Sequence, residues 1–188
     1  RLVQTGEGVG ALILSDGMGT GPAAALDSAM LCNLVGRLLE AGIPCGSALR
    51  LVNSALMVKD GRETLATLDT AAVDCYTGTR PLACYLRRRT FLRQQGRALR
   101  LEAVSLPAGI LDGVEAAERR LTLAEGDLIL MVSDGVPTEE PWVEEMLTQW
   151  QGGEPEELCR RIAEAARLRC REAYTDDITA AALLLERA

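Results

Sequence analysis

Residues 12–30 read LILSDGMGTGPAAALDSAM. Three aliphatic residues lead into Ser15, Asp16 and Gly17, a glycine-rich turn follows, and Pro22 opens an alanine- and leucine-rich stretch. This order predicts a strand over 10–15, a turn over 16–22 and a helix running to Glu40, with Pro22 suited to a first helical turn and Gly42 and Pro44 to its end. The aspartate at the mouth of the turn decides how the stretch is read. A helix N-terminus presents unpaired amides that favour anions, so a phosphate-cradling loop gains nothing from a fixed carboxylate there. The turn also lacks the lysine of a P-loop and the glycine spacing of a dinucleotide fingerprint. A carboxylate fits this place when a cation stands between it and an anionic group.

Outward from this stretch, residues 47–59 carry Ala48, Leu51, Val52, Ala55 and Leu56 at helical spacing and predict a second helix, making a helical hairpin over 22–58. The period then changes. Strands are predicted over 66–78, 82–86, 91–94, 98–104, 118–123 and 128–132, separated by glycine-containing turns and read as a meander. Helices over 141–149 and 155–170 and a strand over 178–185 complete the chain. Blocks of strands and blocks of helices, with few alternating βαβ units, predict an α+β fold.

Bulk properties exclude several function classes. The 188 residues are enough for one domain with a core of ordinary size. Twenty basic residues against 27 acidic ones give a net charge of −7, which disfavours broad contact with a nucleic-acid backbone. The one basic cluster, Arg87, Arg88, Arg89 and Arg93, is local, and its Leu86–Arg89 part reads as a solvated loop, as a patch for an acidic partner or as the trace of a compensated reading-frame shift. No apolar run approaches the ~18 residues of a membrane span, so no membrane contact is expected of this domain. The six cysteines fall at irregular separations without a Cys-x-x-Cys pair, as expected of thiols in a reducing, cytoplasmic setting. There is no histidine at all, so imidazole bases and histidine-rich zinc sites are excluded within the chain.

The opening pattern recurs. Ser133, Asp134 and Gly135 again follow an apolar strand, and Thr175, Asp176 and Asp177 introduce the final one. A single Ser-Asp-Gly after a strand is ordinarily a turn whose aspartate caps local amides. Two copies and an Asp-Asp pair at a third strand mouth predict something more, because carboxylates held together are costly without a cation. Oxygen donors suit magnesium or manganese, and paired ions of that kind activate water and clamp a phosphoryl group.

In order, SDGMGTG, the helical hairpin with Val52 and Asn53, ETLATLD (63–69), SLPAGI (105–110), GDLILMVSDG and TDDIT resemble the phosphatase domain of the stage II sporulation protein E family, metal-dependent serine/threonine phosphatases of the protein phosphatase 2C type. The resemblance spans nearly the whole chain, 1–188, as one such domain. It implies an αββα sandwich of two antiparallel sheets flanked by helices, with a two-metal site at one end. By this resemblance Asp16 bridges two Mn2+ or Mg2+ ions, the Gly17 carbonyl serves the second, and Asp134 and Asp176 hold the first, with Asp177 the alternative at the Asp-Asp pair. Asp16, Asp134 and Asp176 are then the catalytic acids, and activated water attacks phosphoserine in line without a phosphoenzyme.

The same resemblance implies a phosphorylated anti-sigma-factor antagonist as substrate, in control of sporulation or stress transcription, and a parent protein anchored in a membrane through other regions. The family pattern has a further acid on a strand upstream of the first Ser-Asp-Gly. Glu7 is the only nearby acid, its Thr-Gly-Glu-Gly setting reads as a hairpin turn, and the domain is expected to be truncated at its N-terminus. The alternative function is a catalytically weak regulatory module that binds such a partner without turnover. The hairpin over 22–58 has two readings as well: a cover for a sheet, or, from the family, a homodimer surface that uses Leu31, Leu34, Leu38 and Leu39.

Overall fold

The protein is described here by a computed structural model, which covers residues 1–6, 8–17, 19, 21–58, 66–74, 80–85, 89–101, 118–170 and 176–186. Glu7, Met18, Thr20, Cys75, Arg87, Arg88, the 105–110 segment and Thr175 lie outside the described residues. The chain divides into two compact units, residues 1–87 with 103–122 and residues 88–102 with 123–188.

The first unit holds β1 (Leu2–Gln4), β2 (Val9–Gly17), α1 (Pro22–Glu40), α2 (Cys45–Val58), β3 (Ala66–Asp74), β4 (Arg80–Tyr85) and β7 (Glu118–Leu123). Its sheet runs β1-β2-β3-β4-β7. β1 and β2 form an antiparallel hairpin closed at Thr5, whose hydroxyl and carbonyl accept from the Val9 and Gly8 amides at 3.1 Å each. This agrees with the hairpin turn expected there. β2 and β3 pair antiparallel from Val9 opposite Asp74 to Gly17 opposite Ala66. Side chains alternate along a strand, so Ala11, Ile13 and Ser15 share one face while Leu12, Leu14 and Asp16 share the other. Ala11, Ile13 and Ala72 pack with Leu31, Val35 and Leu39 of α1 and Ala48, Val52 and Leu56 of α2. The hairpin therefore covers a sheet. Of the four leucines expected as surplus, Leu31 and Leu39 are buried, Leu38 is half-buried and Leu34 is 38% exposed.

The second unit holds β5 (Thr90–Gln94), β6 (Arg97–Leu101), β8 (Leu128–Val132), α3 (Trp142–Gln149), α4 (Pro155–Arg169) and β9 (Ala180–Leu184). Its sheet is antiparallel throughout, in the order β6-β5-β8-β9. Phe91, Leu128, Leu130 and Val132 pack with Trp142, Val143 and Leu147 of α3 and Leu158, Ile162 and Ala166 of α4. All five residues of β8 are buried, which explains its unbroken apolar run.

The α+β class is as expected, with two sheets and four helices among the described residues, each unit supplying a sheet and the helix pair on one of its faces. The meander is corrected. β7 joins the first sheet beside β4, and β8 pairs with β5 and β9 in the second, although only a short turn links β7 to β8. That turn resembles a hairpin turn locally, but its Gly126 amide donates to the Leu185 carbonyl at 2.9 Å, which ties it to the end of β9.

Candidate functional site

In the first unit Asp16 is the penultimate residue of β2 and half-buried. Its amide donates to Thr67 Oγ1 at 3.1 Å across the β2–β3 pair. By the alternation above, its side chain lies on the face opposite α1 and α2, together with Thr67 and Asp69. Asp69 is buried, with 6% exposure, and faces Leu14 one rung away. The sequence marks it only as part of a motif, because an acid in an apolar strand has no local signature.

Gly17 is needed for space. A Cβ there would sit 2.2 Å from the Ala24 carbonyl oxygen, so the end of β2 meets the first turns of α1 backbone to backbone. Ser28 Oγ, one turn further along α1, donates to the Ser15 carbonyl at 2.8 Å and fastens the same contact. The neighbouring Cys32 thiol is pushed up by burial.

In the second unit two of the predicted acidic segments come together. β8 runs out into Ser133, Asp134 and Gly135, and the chain before β9 contains Asp176 and Asp177. Ser133 joins them with three hydrogen bonds. Its amide donates to the Thr179 carbonyl at 3.0 Å, its hydroxyl donates to the Asp177 carbonyl at 2.6 Å, and the same oxygen accepts from the Thr179 amide at 2.8 Å. Gly135 completes the junction. A Cβ on it would lie 2.6 Å from the Asp177 carbonyl oxygen and 2.8 Å from that of Asp176.

The carboxylates of Asp134, Asp176 and Asp177 are all on exposed residues. Asp176 Oδ1 accepts from the Asp177 amide at 3.0 Å, which orients that carboxylate on its own backbone. The turn after β8 is closed by the Val136 amide on the Ser133 carbonyl at 3.1 Å. Arg89 also reaches this turn. Its Nη1 donates to the carbonyls of Asp134 at 2.8 Å and Val136 at 2.6 Å, with a longer approach of 3.5 Å to Ser133.

Arg93, from the same basic cluster, binds the Leu147 and Trp150 carbonyls at 2.9 and 2.8 Å. Neither Arg89 nor Arg93 is therefore a merely solvated charge. Sequence reasoning missed both roles because a side chain that caps carbonyls elsewhere in the chain looks the same as a surface charge.

Within either unit, among the described residues, no three His, Cys, Asp or Glu side chains gather into a metal-ligand cluster. The second unit brings together the two segments bearing Asp134 and Asp176–Asp177, and the first unit holds Asp16 and Gly17. The donors are carboxylate and carbonyl oxygens with no nitrogen or sulfur among them, a set that fits a hard divalent cation. Cys32, Cys45, Cys159 and Cys170, described in full, are half-buried thiols and not half-cystines.

The profile of the family described as Stage II sporulation protein E (SpoIIE) matches residues 6–186. The stage II sporulation protein E of Priestia megaterium is 27% identical over 170 residues, covering 87% of this chain. The chain spans 29% of the length of that relative. Among solved structures, the PP2C phosphatase domain with a fragment of the regulatory domain of SpoIIE from Bacillus subtilis superposes with a TM-score of 0.85 at 24% identity, covering 99% of this chain and 57% of that one. RsbX in complex with magnesium gives a TM-score of 0.71 at 17% identity, covering 97% of this chain and 84% of that one. These structural likenesses establish a shared fold. With nearly all of its length matched by the family profile, the chain belongs to the stage II sporulation protein E family.

Proposed function

We propose that this chain is a divalent-cation-dependent phosphatase acting on phosphoserine or phosphothreonine in proteins. The observation that carries the reading is the interlock of Ser133 and Gly135 with the backbone at Asp176 and Asp177, which unites two predicted acidic segments at the end of one sheet. Family membership and the fold shared with PP2C domains support it. In this reading, which takes its ligands from the family resemblance, Asp16 and the Gly17 carbonyl would serve magnesium or manganese in the first unit, and Asp134 and Asp176 would do so in the second. Asp177 is the alternative to Asp176. A hard cation held there supplies Lewis-acid stabilisation of a phosphoryl group.

The chain's own residues supply geometry. Ser133 and Gly135 fix the spacing between the two acidic segments, and Gly17 sets the end of β2 against α1. The absence of histidine removes imidazole as a proton carrier and leaves carboxylates, hydroxyls, thiols and solvent to handle protons. The substrate we propose is phosphoserine on an anti-sigma-factor antagonist, the class implied by the family resemblance.

Phosphate release from such a phosphoprotein, measured with manganese or magnesium and again in excess chelator, tests the reading. Turnover that requires the cation is expected, and undiminished turnover in chelator would sink it. Stoichiometric binding of the phosphoprotein without release would instead favour a regulatory module. Leu26 at 67% exposure and Leu34 on α1, with Leu51 at 53% on α2, support a further proposal that α1 and α2 carry a homodimer surface. Sedimentation at rising concentration checks it, and a monomer at every concentration would exclude it. Among the described residues no helix is long and apolar enough to cross a membrane.

A further inference from the structure

The turn after β8 is held by a cation that does not touch its carboxylate. Arg89 stands just before β5, and its carbonyl accepts from the Val132 amide at 3.1 Å, which fixes its backbone beside the last residue of β8. From there Nη1 meets the Asp134 carbonyl at 2.8 Å, the Val136 carbonyl at 2.6 Å and, weakly, the Ser133 carbonyl at 3.5 Å. All of its side-chain hydrogen bonds among the described residues go to this one turn. None goes to a carboxylate.

We propose that Arg89 is a positioning residue for Asp134, holding the backbone of the Ser133–Val136 turn so that the Asp134 carboxylate is presented in a fixed place while left unneutralised. The proposal rests on the reading of Asp134 as a cation ligand. An exposed ligand on a loose turn must be ordered when the cation binds, and groups that orient metal ligands typically contribute about 10–100-fold to affinity. A charged donor on backbone carbonyls is well suited to this, because bonds to an ionised donor are shorter and stronger than neutral ones. A guanidinium on the carboxylate itself would instead compete with the cation. The bonds all leave from one nitrogen, so a lysine ammonium reaching the same place can replace them in part.

The test compares Arg89→Ala, Arg89→Gln and Arg89→Lys in the full chain by hydrogen exchange of a peptide covering residues 133–136 without metal, by calorimetric titration with manganese, and by kcat and KM on a phosphoprotein. Arg89→Ala is expected to speed exchange about tenfold or more and to weaken manganese about 10–100-fold. Arg89→Lys is expected to stay within about threefold of the parent in both. Arg89→Gln, which keeps one amide donor, should fall between them and serves if the alanine variant does not fold. Unchanged exchange and manganese affinity in Arg89→Ala or Arg89→Gln would overturn the proposal. So would a raised KM with both of those quantities unchanged, because Arg89 would then be a substrate contact. Faster exchange with no change in manganese affinity would overturn the positioning role alone, whereas a parent chain that binds no manganese would bring down the cation reading and this proposal with it.

Discussion

At the scale of single residues, the two Ser-Asp-Gly copies do the same thing by different partners. Gly17 lets β2 end against the Ala24 carbonyl, and Gly135 lets β8 end against the carbonyls of Asp176 and Asp177. Gly135→Ala places a methyl 2.6 Å from the Asp177 oxygen, where one backbone must move. A loss of about 1–3 kcal/mol in urea unfolding is expected, the usual range for overpacking a filled site. Gly10→Ala is the control, since nothing lies within 4 Å of a Cβ there, and it should stay within about 0.5 kcal/mol of the parent. Ser133→Ala removes one donor and one acceptor from a residue with 6% exposure and leaves the Thr179 amide without that oxygen. It should cost about 1–3 kcal/mol in the same assay. The aspartates of these motifs were legible as a recurring pattern. The reason for the glycines was not, because turn chemistry already accounts for a glycine after an aspartate, and the atoms that exclude a side chain come from distant parts of the chain.

At the scale of elements, periodicity located the helices and most strands because each buries one face or, for β8, both. β1 escaped notice, since three residues carry too little pattern to distinguish a strand from a tail. Strand partners were not legible either. The link between β7 and β8 looks like a hairpin turn, yet the strands belong to different sheets, and only pairings distant in sequence decide that. The basic cluster conceals a similar tertiary role. Arg93 caps the last carbonyls of α3 and lies 5.2 Å from the Trp150 ring centroid, so it satisfies groups that a helix end leaves open. Arg93→Ala should lose about 1.5–3 kcal/mol of unfolding free energy, the range for hydrogen bonds to a charged group. Cys159 on α4 supplies a pH signature. Burial pushes its thiol up to about 11, against an ordinary 9.0. Between those values the folded chain keeps a proton that the unfolded chain has released, so stability falls as pH rises from about 9 towards about 11. Cys159→Ala should flatten that part of the difference in unfolding midpoint, and equal slopes for parent and variant would contradict it.

At the scale of the whole molecule, the expected catalytic acids are divided between the units, Asp16 in the first and Asp134 and Asp176, with the alternative ligand Asp177, in the second. The sequence could mark all of them because carboxylates at strand ends form a visible pattern, whereas the distances among them depend on tertiary structure that no local pattern encodes. Exposure separates their role in activity from their role in folding. Asp134, Asp176 and Asp177 are exposed, so Asn at each should leave the unfolding free energy within about 0.5 kcal/mol of the parent. Turnover responds differently if these groups hold the cation. Loss of a ligand forfeits a share of the several kcal/mol of charge stabilisation that a bound ion supplies, and each 1.36 kcal/mol is tenfold in rate, so Asp134→Asn should fall about 100-fold or more. The Asp-Asp pair gives the finer discrimination. The carboxylate of Asp176 is already oriented by the Asp177 amide at 3.0 Å, whereas Asp177 is anchored through its carbonyl under Ser133. A preoriented oxygen ligand loses less freedom on binding, so Asp176→Asn should weaken manganese and slow turnover more than Asp177→Asn does. Calorimetric titration beside phosphate-release rates for the two variants decides the order. A larger loss in Asp177→Asn would move the ligand by one residue, and equal small losses in both would remove the Asp-Asp pair from the site.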